Sequence, residues 1–101
     1  MKNFIICTNS LPSSVGVTVI QRNQITLYLQ GRGLPVWHWI EDVWLVIGSD
    51  ADTPRSLRED ITRLIGEQRY VLVMQVEPVA HSGMGNANGW PWMAENWSEP
   101  E

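Results

Sequence analysis

The chain has 101 residues, of which 44% are hydrophobic and 18% are charged, and its formal net charge is −4. These values are typical of one globular domain. They disfavour nucleic acid as a partner, because a net negative protein does not attract phosphates or an anionic membrane over its whole surface.

The single cysteine, Cys7, lies in an apolar run. One cysteine excludes a disulfide or a cysteine metal site built within one chain, so we expect a reducing, cytoplasmic setting. The apolar run itself, residues 4–7, is too short for a secretion signal or a membrane span.

Residues 4–7 predict a first strand that is buried on both faces and ends near Asn9. The next stretch, residues 14–30, has two interpretations. The alternating valines of residues 15–19 and the alternating Ile25, Leu27 and Leu29, with residues 21–24 as the turn, favour a hairpin. The apolar spacing of residues 25–29, followed by glycines, favours a helix.

Residues 36–40 and 43–47 predict two adjacent strands joined by a tight acidic turn. Successive side chains of a strand point to opposite faces, so Trp37 and Trp39 share one face and His38 lies on the other.

The clearest helix signal starts at Thr53 and Pro54, a capping hydroxyl followed by a proline at the first helical position. An amphipathic stripe follows and ends at Gly66, and residues 70–76 predict a further strand. The apolar positions of the stripe are Leu57, Ile61, Leu64 and Ile65.

From residue 78 the chain is rich in glycine and asparagine, which indicates a flexible connection. Trp90, Met93 and Trp97 then have the spacing of one helical face, and the acidic end is expected to fray. We therefore divide the chain into a domain at residues 1–77 and a Gly/Trp-rich C-terminal tail at residues 78–101. We expect the tail to pack on its own subunit or on a partner subunit.

With residues 14–30 taken as a helix, the elements follow the order βαββαβ of the ferredoxin-like split βαβ. The predicted fold class is α+β, a ferredoxin-like four-stranded antiparallel sheet with two helices on one face and a Trp-rich C-terminal tail. Right-handed crossovers put both helices on the same side, which leaves the other face of the sheet open.

Five short segments carry a resemblance to a known family. They are residues 4–9 (FIICTN), 37–46 (WHWIEDVWLV), 56–61 (SLREDI), 70–76 (YVLVMQV) and 92–97 (WMAENW). In order, they look like the first strand, strand pair, second helix, last strand and tail of the small CRISPR-associated ferredoxin-like nucleases and their bacterial relatives, the SinR family. The resemblance favours a helix at residues 14–30, and it implies a homodimer and a role in defence against mobile elements.

Nucleases of that family carry a metal-binding aspartate at the end of the first strand, where this chain has Asn9, or Thr8 if the register slips by one residue. A neutral amide does not supply the negative charge that holds Mg²⁺, so we expect neither catalysis nor a metal site. Asn9 is more simply a turn residue, and we keep it as a candidate for partner binding. Asp50 and Asp52 are the alternative metal ligands, but they precede a helix, whose N-terminal N–H groups acidic residues stabilise.

Six tryptophans are the main candidates for a binding surface. We expect the first cluster on the open face of the sheet and the second in the tail that covers it. Aromatic rings anchor protein interfaces and stack on nucleotides, although they also fill cores. The clusters are Trp37, Trp39 and Trp44 in the strand pair, with His38 between them, and Trp90, Trp92 and Trp97 in the tail.

The expected function is that of a non-catalytic, small dimeric binding module that engages a protein or nucleotide-containing partner without a cofactor. Phage defence or counter-defence is the setting implied by the resemblance. Two alternatives stay open: a metal-dependent nuclease or toxin of the same superfamily, and a structural dimer that has no ligand and whose tryptophans are all core.

Overall fold

The computed structural model describes residues 1–9 and 16–101. The described elements are a four-stranded sheet, three helices and a short two-stranded sheet. In chain order they are β1 (Lys2–Thr8), α1 (Val19–Gly31), β2 (Val36–Ile40), β3 (Val43–Gly48), α2 (Pro54–Ile65), β4 (Val71–Val76), β5 (Ala80–His81), α3 (Gly89–Asn96) and β6 (Glu99–Pro100). The predicted α+β class and the four-stranded antiparallel sheet are confirmed.

The four strands lie in the order β2-β3-β1-β4, and each neighbouring pair is antiparallel. The central strand β1 sends Phe4 and Ile6 to one face, where both are fully buried. The alternating residues Ile5 and Cys7 reach the opposite face, where they are half-buried. Residues of β3 and β4 follow the same alternation, because Ile6 pairs with both Trp44 and Val73.

Helices α1 and α2 pack on the Phe4 face of the sheet and on each other. Each large aliphatic side chain that is fully buried there contributes about 1.5–3 kcal/mol to folding. The buried core consists of Phe4, Ile6, Val17, Ile25, Leu29, Trp44, Val46, Leu57, Ile61, Ile65 and Val73.

Of the two interpretations of residues 14–30, the helix is confirmed by α1 and the hairpin is wrong. Residues 14 and 15 of that range lie outside the described residues. The helix is capped by Thr18, whose hydroxyl accepts from the Gln21 N–H at 3.1 Å, while the Gln21 side chain accepts from the Thr18 N–H at 3.0 Å. Such a reciprocal capping box satisfies two N–H groups that otherwise have no helical partner. Ile25 and Leu29 then bury the apolar face.

Helix α2 begins and ends where the sequence predicts. Thr53 caps it through a second capping box with Ser56, Pro54 occupies its first turn, and Gly66 ends it with a positive φ of 96°. Of the predicted stripe, Leu57, Ile61 and Ile65 are buried, whereas Leu64 is largely exposed.

Two polar contacts join α1 to α2. The Gln21 side chain donates to the Ile65 carbonyl oxygen over 3.1 Å, and the Tyr28 hydroxyl donates to the Asp60 carboxylate. Burial, together with that hydrogen bond and the negative charge of Asp60, raises the pKa of Tyr28 to about 12.

The tail forms a second layer on the opposite face of the sheet, where α3 contacts β2. Strands β5 and β6 pair in parallel, and the Glu101 N–H donates to the His81 carbonyl oxygen over 2.7 Å. The acidic end is therefore paired with the start of the tail, and the expectation that it frays is wrong. Within residues 1–9 and 16–101, no helix is long and apolar enough to cross a membrane.

Candidate functional site

A register shift in the β2–β3 hairpin decides which face each tryptophan occupies. Ile40 pairs with Val43, but His38 pairs with Trp44, so β2 carries one extra residue, Trp39, between the two pairs. An extra residue of this kind is a β-bulge, and it shifts by one the residues of β2 that face those of β3. Because His38 pairs with Trp44, both side chains lie on the helix-covered face, while Trp39 lies on the tail side.

Trp44 belongs to the core and not to the open face. Its side chain is fully buried, and its Nε1 donates to the Thr26 hydroxyl over 2.9 Å. His38 stacks on it with ring centroids 4.5 Å apart, and the His38 Nε2 lies 2.8 Å from the Glu41 carbonyl oxygen. The expectation that Trp44 is exposed for a partner is wrong, and His38 is engaged by its own hairpin.

The other five tryptophans meet between the tail and the sheet. Trp37 lies 6.5 Å from Trp92, centroid to centroid, and Trp39 lies 5.0 Å from Trp90 at an interplanar angle of 62°. Trp97 continues the group at 6.3 Å from Trp92. Edge-to-face and offset pairs of this kind are each worth about 0.5–1.5 kcal/mol beyond the area they bury.

Gly89 allows this close approach of α3 to β2. A Cβ atom at this position would lie 2.7 Å from Cζ3 of Trp39 and 2.9 Å from Nε1 of Trp37. Only a residue without a side chain fits between these two rings. The Trp37 Nε1 is itself buried and has no hydrogen-bond partner among the described residues.

A cavity of about 230 Å³ lies beside the Trp39–Trp90 pair, and we call it the aromatic pocket. A second cavity of about 240 Å³ adjoins it and shares Trp90 and His81. The aromatic pocket is lined by Trp39, Leu45, His81, Ser82, Gly83, Met84, Trp90, Met93 and Trp97. Pro100 and Glu101 border the adjoining cavity.

His81 joins β5 to this site. Its ring lies parallel to Trp90 with centroids 6.1 Å apart, and its Nδ1 is 2.8 Å from the Ser98 hydroxyl oxygen. His81, Met93 and Glu101 are site residues that the sequence did not indicate as such, because a local pattern does not reveal where a tail folds back.

The charge of the chain is divided unevenly between residues 1–69 and residues 70–101. Residues 1–69 contain seven basic and seven acidic side chains, whereas residues 70–101 contain four acidic side chains and no lysine or arginine. The whole formal net charge of −4 therefore lies in the last third of the sequence, which includes the tail and most of the pocket lining.

Asn9 does not line either of the two cavities described above. Its carbonyl oxygen accepts from the Val17 N–H, across the segment that leads to α1. Nearby, Asp42 accepts from the Thr8 hydroxyl at 2.8 Å and from Arg22 Nε at 3.1 Å. Asn9 is thus separate from the aromatic pocket.

Asp50 and Asp52 do not act together. Asp50 is 88% exposed and lies 3.2 Å from the amino group of Met1. Asp52 is largely buried, accepts from the Ser49 N–H over 2.8 Å, and pairs with Arg32. Burial alone would raise the pKa of Asp52, but the bonds from Ser49 and the Arg32 guanidinium outweigh it and hold this pKa below its ordinary value.

These contacts bear on the two roles considered for the acidic pair. The hydrogen-bonding cap of α2 is Thr53, whose hydroxyl accepts from the Ser56 N–H over 3.0 Å, and not either aspartate. Asp52 instead closes the loop that precedes the helix. Within the described residues, no group of three histidine, cysteine, aspartate or glutamate side chains is placed to hold a metal ion.

No family model matches the chain, and no curated protein matches it either. The resemblance to CRISPR-associated nucleases and the SinR family stays a prediction.

Proposed function

We propose that the protein is a non-catalytic binding module that engages a protein partner through the aromatic pocket. The observation that carries this proposal is the pair of half-buried rings of Trp39 and Trp90, set at 62° beside a 230 Å³ cavity. Tryptophan rings that border a partly open pocket are favoured anchors of protein interfaces.

The charge around the pocket favours a protein over a nucleotide-containing partner. Phosphate groups are held by arginine, lysine and backbone N–H groups. No lysine or arginine is among the described residues that line the aromatic pocket, and residues 70–101 contain neither. A phosphate placed there would gain no charge-assisted hydrogen bond.

The proposed module is a homodimer that forms through β4. This strand is at the edge of the described sheet and contains no charged residue. Leu72 and Met74 are 55% and 41% exposed on the face opposite the helices, beside Cys7 and Ile5 of β1. An uncharged, apolar edge strand readily pairs with another strand, and a second copy supplies an identical one about a twofold axis.

Three further parts of the proposal have different support. The strand and helix order βαββαβ supports a ferredoxin-like fold. The free thiol of Cys7 supports a cytoplasmic location. The resemblance to CRISPR-associated proteins supports a setting in phage defence or counter-defence.

Ligand titration followed by NMR tests the pocket. Each tryptophan gives one indole N–H signal, so the rings of the pocket and the core ring of Trp44 are observed separately. We expect short peptides to shift the signals of Trp39, Trp90 and Trp97 and to leave that of Trp44 in place, while nucleoside monophosphates shift none. The proposal would be overturned if nucleotides shift these signals. It would also be overturned if no peptide, whatever the class of its side chains, shifts them.

Light scattering tests the dimer. The wild-type chain is expected at twice its 11.5 kDa mass. Leu72→Lys should give a monomer, because it places a charge in the proposed strand interface. The matched control is Leu27→Lys on α1, where the leucine is 68% exposed, and this variant should stay dimeric. A monomeric wild type, or an unchanged mass for Leu72→Lys, contradicts the dimer.

The nuclease alternative has its own test. Asp50 is the more accessible of the two aspartates, so Asp50→Ala leaves the fold intact while removing a possible ligand for a divalent ion. If the wild type cleaves nucleic acid with Mg²⁺ or Mn²⁺ and this variant does not, the protein is an enzyme and the proposed binding function is wrong.

A further inference from the structure

We infer that the aromatic pocket accepts an arginine side chain of the partner protein, an inference that rests on the proposed function. Two independent features of the molecule support this choice of ligand. The walls of the pocket are aromatic, and the part of the chain that forms most of it carries the entire net negative charge.

The aromatic walls provide the first feature. Trp39, Trp90 and Trp97 all line the pocket, and tryptophan is the side chain whose ring face attracts a cation most strongly. Leu45 and Met93 add an apolar surface, which suits the methylene groups that carry a guanidinium. A cation in this cavity would therefore contact tryptophan rings as well as aliphatic side chains.

The acidic residues provide the second feature. Glu101 borders the adjoining cavity together with Ser82, so a carboxylate and a hydroxyl oxygen are available beside Trp90. A guanidinium donates to a carboxylate through two parallel N–H groups. Neither lysine nor arginine is among the described residues that line the two cavities, so a cation would enter without repulsion from those side chains; His81 is the one histidine that lines both.

Arginine fits this combination better than lysine does. Its planar guanidinium stacks on an aromatic ring while its edge keeps donating hydrogen bonds. A lysine ammonium is compact and strongly hydrated, so it gains less from an aromatic wall.

A matched pair of tripeptides tests the inference, using the indole signals as the readout. The probes are acetyl-Gly-Arg-Gly-amide and the same peptide with citrulline, in which a neutral urea replaces the guanidinium at nearly the same shape. The arginine peptide is expected to bind roughly five- to tenfold more tightly than the citrulline peptide, as a cation–π contact at a partly exposed site provides.

Three substitutions locate the effect. Trp90→Phe should weaken arginine binding, because phenylalanine attracts a cation less strongly. Trp92→Phe is the matched control in the same helix, since Trp92 stacks on Trp37 and lines neither cavity, and it should leave the affinity unchanged. Glu101→Gln is an exposed change that should weaken the arginine peptide and not the citrulline peptide.

The outcomes separate this inference from the proposed function. Equal binding of the two tripeptides would overturn the arginine ligand and leave a peptide-binding pocket. A neutral or acidic peptide that binds more tightly than the arginine peptide would do the same. If no peptide shifts the indole signals of the pocket, both the inference and the proposed function fail.

Discussion

Replacing Gly89 by alanine tests how closely the tail is seated on the sheet. The backbone there has no positive φ, so alanine brings no backbone strain, and the effect comes from its methyl group alone. That methyl would lie 2.7 Å from Cζ3 of Trp39 and 2.9 Å from Nε1 of Trp37. Ordinary contacts between non-bonded carbon atoms are about 3.5–4.0 Å, so helix α3 must retreat by roughly 1 Å.

The size of the effect follows from two opposing contributions. Overpacking against rigid rings costs about 1–3 kcal/mol. Alanine regains at most about 1 kcal/mol of helix propensity, and less at the first helical residue. We therefore expect Gly89→Ala to lower the free energy of unfolding by about 1–2 kcal/mol and to shift the indole signals of Trp37 and Trp39.

Two other glycines calibrate this measurement. At Gly85 a methyl group would lie 3.2 Å from Cζ2 of Trp39, so Gly85→Ala should cost less than about 1 kcal/mol. Gly31, at the end of α1, has nothing within 4 Å, so Gly31→Ala should be neutral or stabilising by up to about 1 kcal/mol. Urea unfolding followed by far-UV circular dichroism ranks the three variants. If Gly89→Ala is as stable as Gly31→Ala, the reasoning about the tail contact is refuted.

Three further predictions concern the domain beneath the tail. Gly48→Ala should cost at least about 2 kcal/mol in urea unfolding, because its methyl would lie 2.5 Å from the buried Phe4 ring, and wild-type stability would contradict this. Asp52→Asn should cost about 1–3 kcal/mol at pH 7 by breaking the Arg32 pair. The pKa of Asp52 is lowered by folding, so this stability is present above about pH 4 and lost as pH falls through the folded pKa. A stability difference between the two proteins that does not shrink as the pH falls below about 4 would argue against it. Folding raises the pKa of Tyr28 to about 12, so its contribution is full below about pH 10 and lost as pH rises through 12. Tyr28→Phe should remove that alkaline loss, about 1 kcal/mol after allowance for partial exposure, and an unchanged alkaline profile would count against the Tyr28 contact.

Helix α2 was predictable from sequence because its signals are local. A capping Thr53, a following proline and the apolar spacing act within three turns of the chain, independently of the rest of the fold. Helix α1 was harder, because β-branched residues precede it. In the structure Val17 is a buried residue before the helix and Thr18 is the cap. The later alternating residues lie within the helical turns, where Ile25 and Leu29 are buried and Leu27 is exposed.

The position of Trp44 shows where sequence reasoning stopped. Alternation along β2 correctly separates Trp37 from His38, since both belong to one strand. Trp44 belongs to the next strand, and its face depends on how the two strands are aligned. The extra residue at Trp39 shifts that alignment by one, which turns Trp44 into the core.

The aromatic pocket was beyond prediction for a related reason. It forms where the tail folds back over β2, and that arrangement depends on contacts between distant residues such as Gly89 and Trp39. The tryptophan clusters indicated that two surfaces meet, but only the three-dimensional fold brings His81 and Glu101 to the same place.

The uneven distribution of the six indoles has a spectroscopic consequence. Trp44 lies in the interior between the helices and the sheet, while the other five tryptophans lie between the tail and the opposite face of the sheet. Tryptophan fluorescence and near-ultraviolet circular dichroism will therefore be dominated by these five rings. A melting curve recorded by tryptophan fluorescence or near-ultraviolet dichroism will follow detachment of the C-terminal tail. Far-ultraviolet circular dichroism will follow the loss of helices and strands in the rest of the domain.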